Sequence, residues 1–368
     1  MTKFQIALIK GDGIGVDVVD ATLAVLEKAQ ARVGGFDLQF NPLLAGAAYF
    51  KETGQDMAPG AEEAAGKSDA IFVGAIGLPS VRHTDGTEIS PHLRLRDRYG
   101  LYAGVRPIKA YPNAPIKLAD PRASDIDFVV LRESTEGLFY SAAANKRDTV
   151  ANDDEVQDIL RITRATTEKL HDFGFRLAAK RRERGGKGKL TCVDKANVFR
   201  SMAFFRKIYD ERAGAFPDIA RDYNYVDATA LDMIRRPWEF DVIVTENMFG
   251  DILSDLGGGL VGGMGMASCA EIGDKHALFQ PAHGSAPDII GQDKANPIAA
   301  ILSGALMLDY LGEQHGHQAC IDAAEVIEQA VYAGFEAKRL RPQEFGGDMG
   351  TKAVTQTIAD MIDESRVK

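Results

Sequence analysis

Several residue types and patterns on which whole protein classes depend are scarce here. The 368 residues include three cysteines and one tryptophan. Cys192, Cys269 and Cys320 are scattered without metal-ligand spacing. That argues against a zinc ribbon or a disulfide framework and fits a reducing, cytoplasmic setting. No apolar run is long enough to cross a bilayer, and the stretch from Met1 to Ile9 is too short for a secretory signal. Positive charge is in deficit. Against 53 Asp and Glu there are 43 Lys and Arg, a formal net charge of -10, so neither nucleic acid nor a membrane is an expected partner. The one basic cluster, Lys180-Arg181-Arg182-Glu183-Arg184 with Gly185 to Lys189 behind it, is expected to be a solvated loop. Internal repeats, low-complexity tracts and a Pro- or Ser-rich linker are absent.

Hydrophobic residues make up 45% of the chain, enough for a large core and two domains. Phe4 to Ile9, Phe36 to Phe40, Ala70 to Gly74, Phe128 to Leu131, Leu190 to Val193 and Val242 to Thr245 read as strands. Helical periodicity runs over Val16 to Ala31, Val156 to Phe173, Ile298 to Tyr310 and Ile321 to Tyr332. Such alternation predicts an α/β chain with a mainly parallel sheet. Without a linker, two domains must share the sheet, or the chain must cross between them more than once.

The most informative stretch is Phe249-Gly250-Asp251-Ile252-Leu253-Ser254-Asp255, just after the strand ending at Thr245. On a helix, the four-residue spacing puts Asp251 and Asp255 on one face, about 6 Å apart along the axis. Paired carboxylates repel unless a cation sits between them. Mg2+ or Mn2+ would resolve this while leaving positions open for substrate oxygens. The competing reading is an acidic helix start favoured by the helix dipole.

Arg96, Arg106 and Arg132 follow strand-like segments. Converging guanidinium groups would suit a substrate with two carboxylates, although spacing alone does not establish convergence. Lys195, just beyond a strand, becomes a proton-transfer group if burial near cations lowers its pKa; otherwise it is a surface lysine. Asp227 is either a third metal ligand, a partner orienting Lys195, or a cap. A Gly/Pro-punctuated loop, His283-Gly284-Ser285-Ala286-Pro287-Asp288 followed by Gly291 to Pro297, leads into a helix and can place polar groups around a cofactor. Gly11-Asp12-Gly13-Ile14-Gly15 carries only the start of a dinucleotide fingerprint, since Val16 replaces the final glycine. A tight strand-to-helix turn is expected there.

Together, from Gly11-Asp12-Gly13-Ile14-Gly15 to Gly346-Gly347-Asp348-Met349-Gly350-Thr351, these motifs resemble the β-decarboxylating dehydrogenases that act on isopropylmalate, isocitrate, homoisocitrate, tartrate and D-malate. The resemblance implies a non-Rossmann, isopropylmalate dehydrogenase-like fold of two α/β domains with an active-site cleft between them. Residues 1–101 and 262–368 would form a large cofactor domain, and residues 102–261 a small domain for dimerisation, substrate and metal. It implies a homodimer with shared active sites. Arg96, Arg106 and Arg132 would bind the malate part of the substrate, and Asp251 and Asp255 would hold Mg2+ or Mn2+ with Asp227 of the other subunit. Lys195, also from the other subunit, would be the base. His283, Gly284, Ser285, Ala286, Pro287, Asp288 and Asn296 would form the cofactor site. Asp288 points to NAD, because a carboxylate accepts from ribose hydroxyls and repels a 2'-phosphate. K+ is a further candidate ion.

Two positions depart from the family pattern. Phe139 stands where the family has the tyrosine that protonates the enol, so Tyr140 or a water is expected to replace it. In Glu88-Ile89-Ser90-Pro91-His92-Leu93, Ile89 and His92 replace the glutamate and first leucine of the isopropyl pocket. Ser90, His92 and Leu93 would face the 3-substituent, with His92 serving an anionic group if protonated. The first candidate reaction is oxidation and decarboxylation of 3-isopropylmalate to 4-methyl-2-oxopentanoate and CO2, in leucine biosynthesis. Tartrate, D-malate or another 3-substituted malate is the alternative, and a catalytically silent regulatory subunit is a remote one.

Overall fold

Strand direction reverses in the middle of one ten-stranded sheet, and that reversal organises the fold. The structure is a computed structural model that describes residues 1–142 and 150–364. The first part runs β1 (Thr2–Gly11), α1 (Gly15–Val33), β2 (Phe36–Pro42), α2 (Ala47–Thr53), α3 (Ala61–Gly66), β3 (Ala70–Ala75), α4 (Pro91–Tyr99), β4 (Ala103–Lys109) and β5 (Asp127–Glu133). A short hairpin, β6 (Val150–Ala151) and β7 (Val156–Gln157), precedes α5 (Arg164–Glu183), β8 (Lys189–Asp194), α6 (Arg200–Ala213), β9 (Ala220–Tyr225) and α7 (Val226–Arg235). The chain closes with β10 (Val242–Thr245), α8 (Asn247–Leu260), β11 (Ser268–Ile272), β12 (Ala277–Pro281), α9 (Ile298–His315), α10 (Gln318–Glu336) and α11 (Thr351–Glu364).

The sheet order is β2-β1-β3-β12-β11-β4-β5-β10-β8-β9. Four strands at one end are mutually parallel, as are four at the other, while the β12-β11-β4-β5 steps are antiparallel. Parallel steps outnumber antiparallel ones six to three, so the sheet is mainly parallel as expected, with an antiparallel centre where β11 and β4 return between the two wings. Strands such as Ala70–Ala75 and Val242–Thr245 are buried throughout and mostly apolar, as strands covered on both faces are. One core cluster draws only on residues between Ile108 and Val261. Two others draw only on the segments Ala7 to Leu101 and Leu278 to Ala300. The largest spans both sets, so the shared-sheet expectation holds.

Two expected elements need correction. The helix predicted over Val156 to Phe173 begins at Arg164, where the Thr163 side chain caps it by accepting from the Thr166 N–H. Apolar residues at Val156, Ile159 and Ile162 imitate a helical stripe, but Val156 lies in β7. The basic cluster is not simply a loop: Lys180 to Arg182 form the last turn of α5, next to favourable carbonyl dipoles. Arg181 bonds the buried Asp241 at 2.6 Å and Asp127 at 3.0 Å, and Lys180 bonds Asp309 at 2.8 Å. Among the described residues, no helix is long and apolar enough to cross a membrane.

Candidate active site

Four elements bring the predicted arginines together. Arg106 lies within β4 and Arg132 near the end of β5, whereas Arg96 is on α4 rather than after a strand. All three are buried, at 4%, 6% and 3% exposure for Arg96, Arg106 and Arg132. Glu271, fully buried on β11, answers two of them: its Oε1 lies 2.8 Å from Arg96 Nη2 and 3.3 Å from Arg106 Nη2. Burial alone would raise the Glu271 pKa, but Arg96, Arg106 and Arg132 overcome it and hold the carboxyl low. Arg132 pairs instead with Asp251 and donates from Nε to Asn247 Oδ1 at 2.9 Å. Among the described residues, the buried Nε atoms of Arg96 and Arg106 have no hydrogen-bond partner. Covered donors of this kind are costly unless a ligand satisfies them.

Asp251 and Asp255 lie on α8, as their spacing required. Burial and the Asp251 carboxylate both push Asp255 up, while Arg106 and Arg132 pull it down. A hard cation fits this pair, since it would relieve the repulsion. Close approach of α8 to β5 depends on Gly250: a Cβ there would lie 2.7 Å from Arg132 Cβ. Among the described residues, no three His, Cys, Asp or Glu side chains form a metal cluster. Asp227, in the first turn of α7, is placed instead with its Oδ1 2.7 Å from Lys195 Nζ at the end of β8. The hydrogen bond from Lys195 holds Asp227 below the usual carboxylate range.

In the other wing, three segments hold the 283–297 loop. Ile14 N–H donates to the Ser285 carbonyl at 2.7 Å, and Ser285 Oγ bonds the Gly77 carbonyl. Gly13, at φ +55°, permits this docking, because a Cβ would collide with the Ser285 carbonyl. The Gly11–Gly15 segment is thus the tight turn expected, and it also supports the loop. Asp17 accepts from Gly291 N–H at 2.8 Å, and Thr351 Oγ1 donates to the Ala295 carbonyl at 2.6 Å. Ala286 is left-handed at φ +34°, a strained conformation for a residue with a Cβ. Gly284 and Asp288 are exposed, and Pro287 opens a short 3-10 turn. His283 Nδ1 lies 2.9 Å from the Gly284 carbonyl, and burial pushes this imidazole toward its neutral form. Asn296 donates to Glu344 at 2.9 Å and to the Met266 sulfur at 4.0 Å, and it accepts from Ile298 N–H at 3.2 Å.

The departures are now located. Phe139 lies over the Arg132 guanidinium at 4.8 Å, whereas the Tyr140 ring lies under Arg161 at 4.8 Å. Ile89 is wholly buried, and Ser90 begins α4 without a capping hydrogen bond from its side chain. Leu93 is half-buried on the same helix. His92 is held toward its neutral form: burial, then Arg96, lowers its pKa to about 3, with Arg132 and Arg106 acting in the same direction against Glu271. Sequence reasoning missed Glu271, Asn247 and Glu344. A lone acid in the apolar strand Ser268–Ile272 was the available signal for Glu271.

A hard-cation position beside excess guanidinium charge suits a decarboxylating dehydrogenase acting on a CH–OH group of a small hydroxy acid. The chain belongs to the isocitrate/isopropylmalate dehydrogenase family, whose model matches residues 5–362. It is 39% identical over 361 residues to the 3-isopropylmalate/3-methylmalate dehydrogenase of Methanocaldococcus jannaschii, covering 98% of this chain and 99% of that protein. It is 37% identical to the homoisocitrate dehydrogenase of the same organism, covering 97% of each. The solved structure of isocitrate dehydrogenase from Methylococcus capsulatus matches with a TM-score of 0.83 at 33% identity, covering 98% of this chain and 99% of that one.

His171 is pushed down to about 3 as His92 is, chiefly by burial. Unfolded, each imidazole titrates near 6.5. The unfolded state therefore binds more protons below that pH, so the stability due to these two groups is present above about 6.5 and is lost as pH falls toward 3. The ring C–H resonances of both are expected to stay at their neutral positions from about pH 8 to pH 5 in NMR spectra of the folded protein. A midpoint above about 6 for His92 would contradict the buried, arginine-facing placement.

Proposed function

We propose that the chain catalyses the NAD- and divalent-metal-dependent oxidative decarboxylation of a 2-hydroxy dicarboxylic acid, with 3-isopropylmalate as the first candidate substrate. The observation that carries this reading is the placement of Arg132 against Asp251, which puts a carboxylate-binding group beside a candidate metal ligand. Arg96, Arg106 and Arg132 neutralise and orient the substrate carboxylates. Asp251 and Asp255, with Asp227 from a second copy, hold Mg2+ or Mn2+. When bound there, such a cation would supply Lewis-acid chemistry to the oxidation and the decarboxylation. Lys195, from the same second copy as Asp227, would take the proton of the 2-hydroxyl after giving up its own ammonium proton, and NAD, when bound, would supply the hydride acceptor.

The absence of an in-chain triad among the described residues supports this shared site. Exposed Leu231 and Ile234 on α7 and Ile252 on α8 support a homodimer, since they form apolar surface close in sequence to Asp227 and Asp251. The segregated core clusters support a cofactor domain from 1–101 and 262–368 and a substrate domain from 102–261. His283 to Asp288 and Asn296 line the nucleotide site, and exposed Asp288 favours NAD over NADP. A cytoplasmic location belongs to the same reading. A neutral His92 beside Leu93 favours an uncharged 3-substituent, hence leucine biosynthesis over isocitrate chemistry.

NADH formation with Mn2+, NAD and a panel of 3-isopropylmalate, isocitrate, homoisocitrate, D-malate and tartrate tests the reading. The highest kcat/KM is expected for 3-isopropylmalate. Asp251→Asn is expected to lose about 100-fold or more, as removal of several kcal/mol of charge stabilisation implies. Preference for D-malate or tartrate would move the enzyme to unbranched substrates, and preference for isocitrate would overturn the His92 argument. The proton returned to the enol is assigned to water, because the Tyr140 ring packs on Arg161. Tyr140→Phe should therefore keep kcat within about twofold of wild type. A loss of about 100-fold in decarboxylation, with oxidation intact, would restore Tyr140 as the acid.

A further inference from the structure

We infer that Asn247 is a positioning residue that sets which edge of the Arg132 guanidinium meets the substrate carboxylate. The inference rests on the functional reading above. Asn247 is fully buried at the first position of α8. Its Nδ2 donates to the Glu136 carbonyl at 3.0 Å, and its Oδ1 accepts from Arg132 Nε at 2.9 Å. These two bonds fix the amide orientation from both ends: the nitrogen must face a carbonyl and the oxygen must face a donor.

The consequence lies in the geometry of the fork. A guanidinium can grip a carboxylate through its Nε/Nη2 side or through its Nη1/Nη2 end. Asn247 occupies Nε, which closes the side edge; at the other edge Nη1 is held only by the partly exposed Asp251, so that end opens to a carboxylate when Asp251 turns to a cation. Phe139 covers one face of the group at 4.8 Å. Nη1 pairs with Asp251, which directs that end toward the acidic face of α8. Asn247, Asp251 and Asp255 succeed one another at four-residue intervals on this helix and share a face. One rigid element therefore fixes the substrate grip relative to both candidate metal ligands.

The anchor of α8 reinforces the arrangement. Glu246, the N-cap, accepts from Phe249 N–H at 3.2 Å and from Leu138 N–H at 3.1 Å. The helix start and the loop carrying Phe139 are thus tied to the same carboxylate. Replacing Asn247 by leucine would keep the branched outline with more bulk, remove the acceptor and leave Nε unpartnered.

A double-mutant cycle with Arg132→Lys tests the inference, because lysine has no Nε–H to receive the Asn247 bond. Asn247→Leu should lower kcat/KM by about 10- to 100-fold, the range for a lost hydrogen bond to a charged group, mainly through substrate KM with the NAD KM unchanged. In the Arg132→Lys background the same change should cost less than about threefold. Asn247→Asp, which keeps an acceptor for Nε, should recover part of the loss if the leucine variant folds poorly. Full additivity, or an equal rise in the NAD KM, would reduce Asn247 to a structural role and overturn the inference. If wild type turns over no substrate of the panel, the functional reading fails, and crystal structures of wild type and Asn247→Leu decide the positioning claim separately. A displaced Arg132 guanidinium supports it, and an unmoved one overturns it.

Discussion

Buried positive charge, deliberately short of buried negative charge, is the constraint on which the site depends. Arg96, Arg106 and Arg132 are almost wholly removed from solvent, and Glu271, fully buried, contacts two of them. At an effective dielectric of about 20, unit charges about 4 Å apart exchange about 4 kcal/mol, so such a cluster is tolerable only with anions close by. Asp251 supplies a second anion, but it is partly exposed and also a candidate metal ligand. With Asp251 committed to a cation, two guanidinium charges await partners, which is the charge a dicarboxylate brings. The same field helps to keep His92 neutral, so one constraint shapes both the substrate grip and the pocket beside it.

Sheet topology makes that concentration of charge possible. β4 lies between β5 and β11, so Arg106, Arg132 and Glu271 come from three adjacent strands. The parallel wing beyond β5 ends in Arg132, Lys195 and the helix bearing Asp251, consistent with the tendency of open α/β sheets to bind ligands at the carboxyl ends of strands. In the other wing, the loop after β12 rests on the turn after β1 and is tied to the start of α11. This explains how motifs near both ends of the chain come together around one loop, the proposed nucleotide site.

Different parts of this arrangement were legible in the sequence for different physical reasons. Asp251 and Asp255 could be read because a helix converts a four-residue spacing into a shared face. The arginines could be named but not brought together, because convergence depends on strand order, which no local pattern encodes. Arg96 was placed after a strand, although Pro91 at the start of α4 was available as a helix signal. Glu271 carried one weak signal, a single acid within a buried strand, but no periodicity marked it as a partner of the arginines. Val156, Ile159 and Ile162 mimicked a helix whose true start was marked by the Thr163 cap. The basic cluster looked solvated because its buried partner, Asp241, lies sixty residues away in sequence.

The central claim is that the arginine cluster recognises two carboxylates on one small hydroxy acid. Calorimetric titration of the Mn2+-loaded protein with D-malate and with D-lactate, which lacks the second carboxylate, measures this without depending on the 3-substituent. Binding of D-malate at least about tenfold tighter than D-lactate, a difference of about 1.4 kcal/mol or more, is the predicted result. Equal affinity for the two acids would contradict it.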